Sequence, residues 1–195
     1  MNIYRELINP IKVWSHEDIF SKPCPVPKEP GIYAWYFQNI PSEIPAEECV
    51  HYNDLALLYI GISPKKPPNN KPLSKQTIYK RIRYHLKGNA EGSTLRLTLG
   101  CLLSENLGIQ LRCVGSGNRM TFSDGEDKLS NWMRANAFVI WKIYSEPWIL
   151  EEEFIKKLSL PLNLDKNKDH PFYEKLKIKR KMAKINARKL PILPR

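Results

Sequence analysis

The amino-acid sequence predicts an α+β domain built on a small three-stranded antiparallel sheet flanked by helices. Three observations carry that expectation. Residues 31–37, 55–60 and 137–144 are short runs of β-branched, aromatic and aliphatic side chains bounded by proline, glycine or polar clusters, the pattern of strands. Between and after these runs, apolar residues recur every three or four positions, as on one face of a helix. The 195 residues, 42% hydrophobic and 10% aromatic, suffice to bury one core with elaborations and argue against a chain disordered throughout.

Residues 1–30 read as a lead-in that ends in a proline-dense connector from Lys22 to Pro30 with no helix in it. Gly31 to Phe37 is the first strand. Residues 38–54 form a loop excursion with two prolines and three glutamates. Leu55 to Ile60 is the second strand, ending at Gly61, and pairs with the first as an antiparallel hairpin across that long connection. Residues 62–76 are a loop rich in proline and lysine. Thr77 caps a helix whose buried face is Ile78, Ile82 and Leu86. Ser93 opens a second helix with a Leu95, Leu99, Leu102 and Leu103 stripe, closed by Gly108.

From Ile109 to Phe122 the pattern is a hairpin turning at Gly115-Ser116-Gly117-Asn118. Ser123 and Glu126 fit a capping box for a third helix marked by Leu129, Trp132 and Met133. Phe138 to Tyr144 is the clearest strand. Pro147 suits the first position of a fourth helix, which runs to about Leu158 and is ended by Pro161. From Glu174 the chain is strongly basic, and two readings stand: a DNA-gripping arm, or a helix packed on the domain.

The balance of 31 Lys+Arg against 20 Asp+Glu gives a net charge of +11, which attracts polyanions, nucleic acid foremost. The four cysteines, at 24, 49, 101 and 113, have no C-x-x-C spacing and read as free thiols in a reducing compartment. Residues 1–30 lack a signal-peptide pattern, and no apolar run reaches the ~18 residues a membrane span needs. A cytoplasmic location is expected.

Five features bear on chemistry, each ordinary alone: Gly31-Ile32-Tyr33 on a strand, Tyr59-Ile60-Gly61 at a strand end, Arg81 and His85 one helical turn apart, Glu151 in the first turn of a helix, and Asn163 after Pro161. Glu152 and Glu153 stand beside Glu151 as alternatives. Together they supply what phosphodiester hydrolysis requires. A carboxylate holds a hard divalent ion. An arginine grips phosphate oxygens. Tyrosine and histidine relay a proton.

The order Gly31-Ile32-Tyr33, Tyr59-Ile60-Gly61, Arg81-x-x-x-His85 and Glu151 followed twelve residues later by Asn163 resembles the GIY-YIG nuclease superfamily, its small restriction endonucleases above all in site spacing. The resemblance implies a GIY-YIG-like domain over 31–163, with 1–30 as lead-in, 109–136 as an inserted hairpin and helix, and 164–195 as a basic extension. It implies Tyr33 as general base on the attacking water, and Tyr59 orienting that water and the phosphate. Arg81 would bind the scissile phosphate. His85 would assist the proton network or contact the phosphate. Glu151 would be the sole protein ligand of one Mg²⁺ or Mn²⁺, and Asn163 would brace the site. Family members often carry a lysine soon after the second motif, for which Lys65, Lys66 and Lys71 are the candidates. With Lys75, Lys80 and Arg83 these form the expected nucleic-acid contacts. The resemblance thus implies a divalent-metal-dependent endonuclease acting on DNA, RNA not being excluded by the residues. Cutting both strands requires a homodimer or sequential nicks. The alternative is a catalytically silent nucleic-acid-binding module of the same fold.

Overall fold

The computed structural model describes residues 3–69 and 72–194. Among them the strands are β1 (Gly31–Phe37), β2 (His51–Tyr52), β3 (Leu55–Ser63), β4 (Arg112–Val114), β5 (Arg119–Thr121) and β6 (Ala137–Ile143). The helices are α1 (Ile3–Ile8), α2 (His16–Phe20), α3 (Ile78–Lys87), α4 (Thr94–Leu102), α5 (Ser104–Leu107), α6 (Gly125–Asn136), α7 (Pro147–Lys157) and α8 (Tyr173–Arg188). The main sheet has the order β2-β3-β1-β6, with neighbours antiparallel. The class is therefore α+β as expected, but the sheet has four strands among the described residues, not three. The extra strand is the two-residue β2, inside the excursion read as loop. Two residues carry no alternation, so only the pairing of His51 with Ala56 and Tyr52 with Leu55 defines it.

β1 is central and fully buried along its length, as its unbroken apolar sequence requires. Tyr33, Trp35 and Phe37 pack with residues of α3, α4 and α6. Ile32, Ala34 and Tyr36 pack with Leu7 of α1 and with Phe154 and Ile155 of α7. At six residues α1 is too short to persist alone; burial of Leu7 and the Tyr36 hydroxyl, which donates to Leu7 O at 2.6 Å, hold it in place. Neither α1 nor α2 was marked by periodicity in the lead-in.

Caps behave as their residues dictate at α3 and α4. Thr77 accepts from Lys80 N, and Ser93 accepts from Arg96 N. Leu103 breaks the expected second helix into α4 and α5, and Gly108 closes the latter with φ of 57°. The hairpin β4–β5 turns over 115–118 as expected. The expected capping box at Ser123 does not form. Asp124 is the N-cap of α6, Ser123 has φ of 51°, and the Glu126 carboxylate is turned inward. There it pairs with Arg96 at 2.6 Å and accepts from Ala90 N and Phe122 N.

That inward pair carries a stability prediction. Arg96 is 0% exposed and Glu126 14%. Removing one partner strands a buried charge. Glu126→Ala is expected to lower unfolding stability by about 3–5 kcal/mol in a denaturant titration. A loss below about 1 kcal/mol would show that water reaches Arg96 freely.

The basic tail is the packed helix of the two readings. Leu176 and Ala187 of α8 are buried in the core, and Lys175 and Lys179 pair with Glu43. The four cysteines are free. Among the described residues no helix is long and apolar enough to cross a membrane.

Candidate active site

Both motif tyrosines reach one side of the sheet by regular alternation, and a bulge just beyond Tyr59 adds Leu58 to the same side. Tyr33 pairs with Gly61 and Trp35 with Tyr59, but Tyr36 then pairs with Leu57. Leu58 has no partner in this register. Strict alternation would send Leu58 and Tyr59 to opposite faces. With the bulge, Leu58 lies in the core with Trp35, and Tyr59 packs partly buried against that same cluster.

The glycines of both motifs answer close approaches. A Cβ at Gly31 would sit 2.2 Å from Lys142 O on the neighbouring strand. A Cβ at Gly61 would sit 2.5 Å from the Tyr33 hydroxyl oxygen, because the phenol ring lies across it. Gly61→Ala must therefore push the ring aside. We expect stability to fall by about 1–3 kcal/mol, and any activity that needs Tyr33 in place to fall about 10²-fold. Single-turnover cleavage and a denaturant melt on the same variant check both; full activity would show that the phenol's position is immaterial.

One cleft gathers Tyr33, Tyr59, Gly61, Lys65, Arg81, Glu151 and Asn163. Thr94 and Thr98 of α4, the loop residue Asp165 and, from α8, Arg180 complete its polar lining. Five of the six residues expected in the site thus share a wall. The sixth, His85, does not. It is 0% exposed and stands behind Tyr33, its Nε2 2.8 Å from the phenol oxygen and its Nδ1 2.7 Å from Ser93 Oγ. Of its two expected roles, contact with the phosphate is corrected by this burial, and what the geometry provides for the other is its hydrogen bonding to Tyr33 and Ser93. The expectation that Arg81 and His85 project together is corrected likewise. One helical turn separates them, but His85 points inward while Arg81 stays at the cleft, donating to Gly92 O at 2.6 Å.

Asn163 clamps β3 beside Tyr59. Its amide donates to Ile60 O at 2.8 Å and accepts from Ile60 N at 2.9 Å. Asn167 in turn donates to Asn163 O. Ser93 caps α4, and Arg96 forms a buried ion pair and also donates to His85 O and Leu86 O.

Of the three consecutive glutamates, only Glu151 lines the cleft. Glu152 pairs with Lys166 and Glu153 with Lys157 at the surface. The first turn of α7 contains no acid: Glu151 sits in the second turn, not the first as expected. Its side chain is 20% exposed and lies 3.5 Å from the Lys166 ammonium.

The expected cluster of cations disperses. Lys65 lines the cleft. Lys66, Lys75 and Lys80 are exposed without lining it. Arg83 turns away, donating to Ile19 O and covering the Phe20 ring 4.1 Å from its centroid. Lys71 lies outside the described residues. The hairpin arginines are both engaged internally, Arg112 with Pro191 O and Arg119 with Glu91.

Burial dominates the electrostatics. It holds the Tyr33 phenol far above its ordinary range, with the Tyr59 phenol adding and Arg81 opposing. Burial also raises Tyr59, against the Thr94 hydroxyl and Arg81. Burial, then Arg81 and Arg96, push His85 well below its ordinary value, so the ring is neutral. Burial raises the Glu151 carboxyl, while Lys166 and Lys65 pull it back.

These properties fit a hard divalent ion. Among the described residues no group of three or more His, Cys, Asp or Glu is arranged as a protein cage. Mg²⁺, however, commonly takes one or two carboxylates and keeps several waters. A desolvated Glu151, with Asp165 on the same cleft, is such a donor set.

A cleft that gathers two strand tyrosines, an arginine and a carboxylate at an antiparallel sheet defines a catalytic domain of the GIY-YIG type. The chain matches the GIY-YIG catalytic domain over residues 31–182 and belongs to that nuclease superfamily. The match runs from the first residue of β1 into α8. No curated protein and no solved structure matches the chain.

Arg180, Thr98 and Asp165 were not singled out by the sequence as parts of the site. Arg180 alone had a legible signal. It occupies the stripe of α8 that carries buried Leu176 and Ala187, where an arginine is out of pattern.

Proposed function

We propose that this protein is a divalent-metal-dependent endonuclease that hydrolyses DNA phosphodiester bonds in the cleft between β1, β3 and α7. The observation that carries the reading is the convergence of Tyr33, Tyr59, Arg81, Glu151 and Asn163 on one cleft from five separate stretches of chain. Family membership and the +11 charge support a polyanionic substrate.

Arg81 and Lys65 hold the scissile phosphate and offset the charge that develops on it. Glu151 would hold Mg²⁺ or Mn²⁺, which would supply Lewis-acid stabilisation of the charge that develops during hydrolysis. Tyr59 orients the attacking water, and Asn163 fixes Tyr59 by clamping Ile60.

Tyr33 is the general base only as part of a relay. Its raised pKa forbids a standing phenolate at neutral pH. In the tautomer with the imidazole proton on Nδ1, donated to Ser93 Oγ, the neutral Nε2 accepts the Tyr33 hydroxyl. The phenol oxygen then receives the water proton as its own passes to Nε2. The low pKa of His85 then drives the proton back from Nε2 to the Tyr33 oxygen as the phenol gives its own to the leaving oxygen, or to solvent, which returns the site to its starting state.

The test is a pair of duplexes of one sequence, DNA and RNA, each with Mg²⁺, with Mn²⁺ and with EDTA. Metal-dependent cutting of the DNA supports the proposal. Binding without cutting under every metal condition replaces it with the silent module. Cutting of RNA in preference to DNA overturns the substrate.

A further inference from the structure

The geometry points to a second phosphate subsite, built by Arg180 of α8 at Thr98, that holds a phosphodiester of the substrate other than the scissile one. The inference rests on the endonuclease reading above and extends it to a helix none of the motif residues occupies.

Arg180 lines the same cleft as Arg81 and Glu151 but enters from α8. Its Nη1 donates to Thr98 Oγ1 at 3.4 Å, a long bond that leaves most of its five donors unspent. No carboxylate among the described residues forms an ion pair with it; the Cys101 thiol, Asp165 on the cleft and the Tyr59 phenol are the acidic groups that bear on it. Burial is the largest influence on its protonation and disfavours the cation. Three of the other long cations of α8 behave differently. Lys175 and Lys179 pair with Glu43, and Lys177 pairs with Glu174.

A guanidinium that is drawn out of water, on the buried stripe of a helix, without a carboxylate, is costly unless an anion comes to it. The cleft faces an anionic polymer. Its successive phosphates are separated by a sugar, so a duplex seated on Arg81 brings a neighbouring phosphate to a second cation on the same wall. The planar fork of arginine suits bidentate contact with phosphate oxygens. Arg180 is in this account a positioning residue: it fixes the register of the strand across Glu151.

The experiment uses the full-length protein and a short fluorescein-labelled DNA duplex in EDTA, so that binding is read without cleavage. Anisotropy gives the affinity between about 50 and about 300 mM KCl. Arg180→Gln is expected to weaken binding about tenfold and to reduce the slope of log affinity against log salt by about 0.9, the share of one phosphate contact. Arg180→Met, which suits the apolar stripe around it, reads the same slope should the glutamine variant melt early. Arg180→Lys is expected to restore the slope, since it restores the charge. A residue that merely knits α8 to α4 would lower the melting temperature and leave the slope at its wild-type value. That result, with wild type binding normally, overturns the subsite and leaves the endonuclease reading intact. Wild type that shows no salt-dependent binding overturns the reading beneath it, and the subsite with it.

Discussion

Glu151→Gln is expected to reduce metal-dependent cleavage by about 10³-fold or more while leaving the protein folded. The substitution keeps the shape of the side chain and removes the charge that fixes the ion. Stability should hold or rise. Burial raises the Glu151 carboxyl pKa in the folded chain, which means that folding opposes its ionisation. A neutral amide removes that opposition, so the variant trades activity for stability as active-site carboxylates commonly do. The same shift sets the acid limb of the wild-type activity. Metal binding needs the carboxylate, and the raised pKa means that activity declines on acidification from a pH above the ordinary glutamate value of about 4.3. Single-turnover cleavage at saturating protein, with a denaturant melt alongside, reads both effects. A glutamine variant that cleaves within about tenfold of wild type would remove Glu151 from the site.

Tyr33→Phe is expected to lower the cleavage rate by about 10²–10³-fold with little change in DNA affinity, because a positioned proton acceptor acts in the transition state rather than in binding. It has a structural cost that Glu151→Gln lacks. The phenol oxygen is the partner of His85 Nε2 at 2.8 Å inside the core. Phenylalanine leaves that nitrogen unpaired, for about 1–3 kcal/mol. The two consequences separate cleanly, since a folded variant at low temperature still lacks the relay. A Tyr33→Phe protein that cleaves as wild type while melting lower would make the phenol a buried structural partner and return the base to solvent.

Local patterns made much of this legible. The strands around Gly31–Phe37 and Ala137–Ile143, the Thr77 and Ser93 caps, the hairpin turn at 115–118 and Pro147 as first residue of α7 follow from neighbouring residues alone. The fourth strand, α1 and α2 did not, because each is too short for periodicity and exists through distant partners such as Tyr36 for α1. Glu126 was misplaced for the same reason. Its spacing from Ser123 suggested a local cap, whereas a buried arginine thirty residues upstream claimed it.

The site divides along the same line. Which residues meet at the cleft could be read from motif order, and of the three glutamates it is Glu151 that lines it. How they meet could not. The register that sets Tyr33 against Gly61 and Trp35 against Tyr59, and the bulge that follows at Leu58, are pairings between strands, invisible in either strand alone. The depth of His85 depends on Tyr33 and Ser93 converging on it. Arg180 reaches the cleft only because α8 folds back over α4.

The central claim is metal-dependent cleavage at this cleft, and supercoiled plasmid tests it most directly. Incubated with the full-length protein in Mg²⁺ or Mn²⁺, the plasmid should pass to nicked circles and then to linear molecules, and it should stay supercoiled in EDTA. Plasmid that stays supercoiled at excess protein across both metals and a range of salt and pH would contradict the claim.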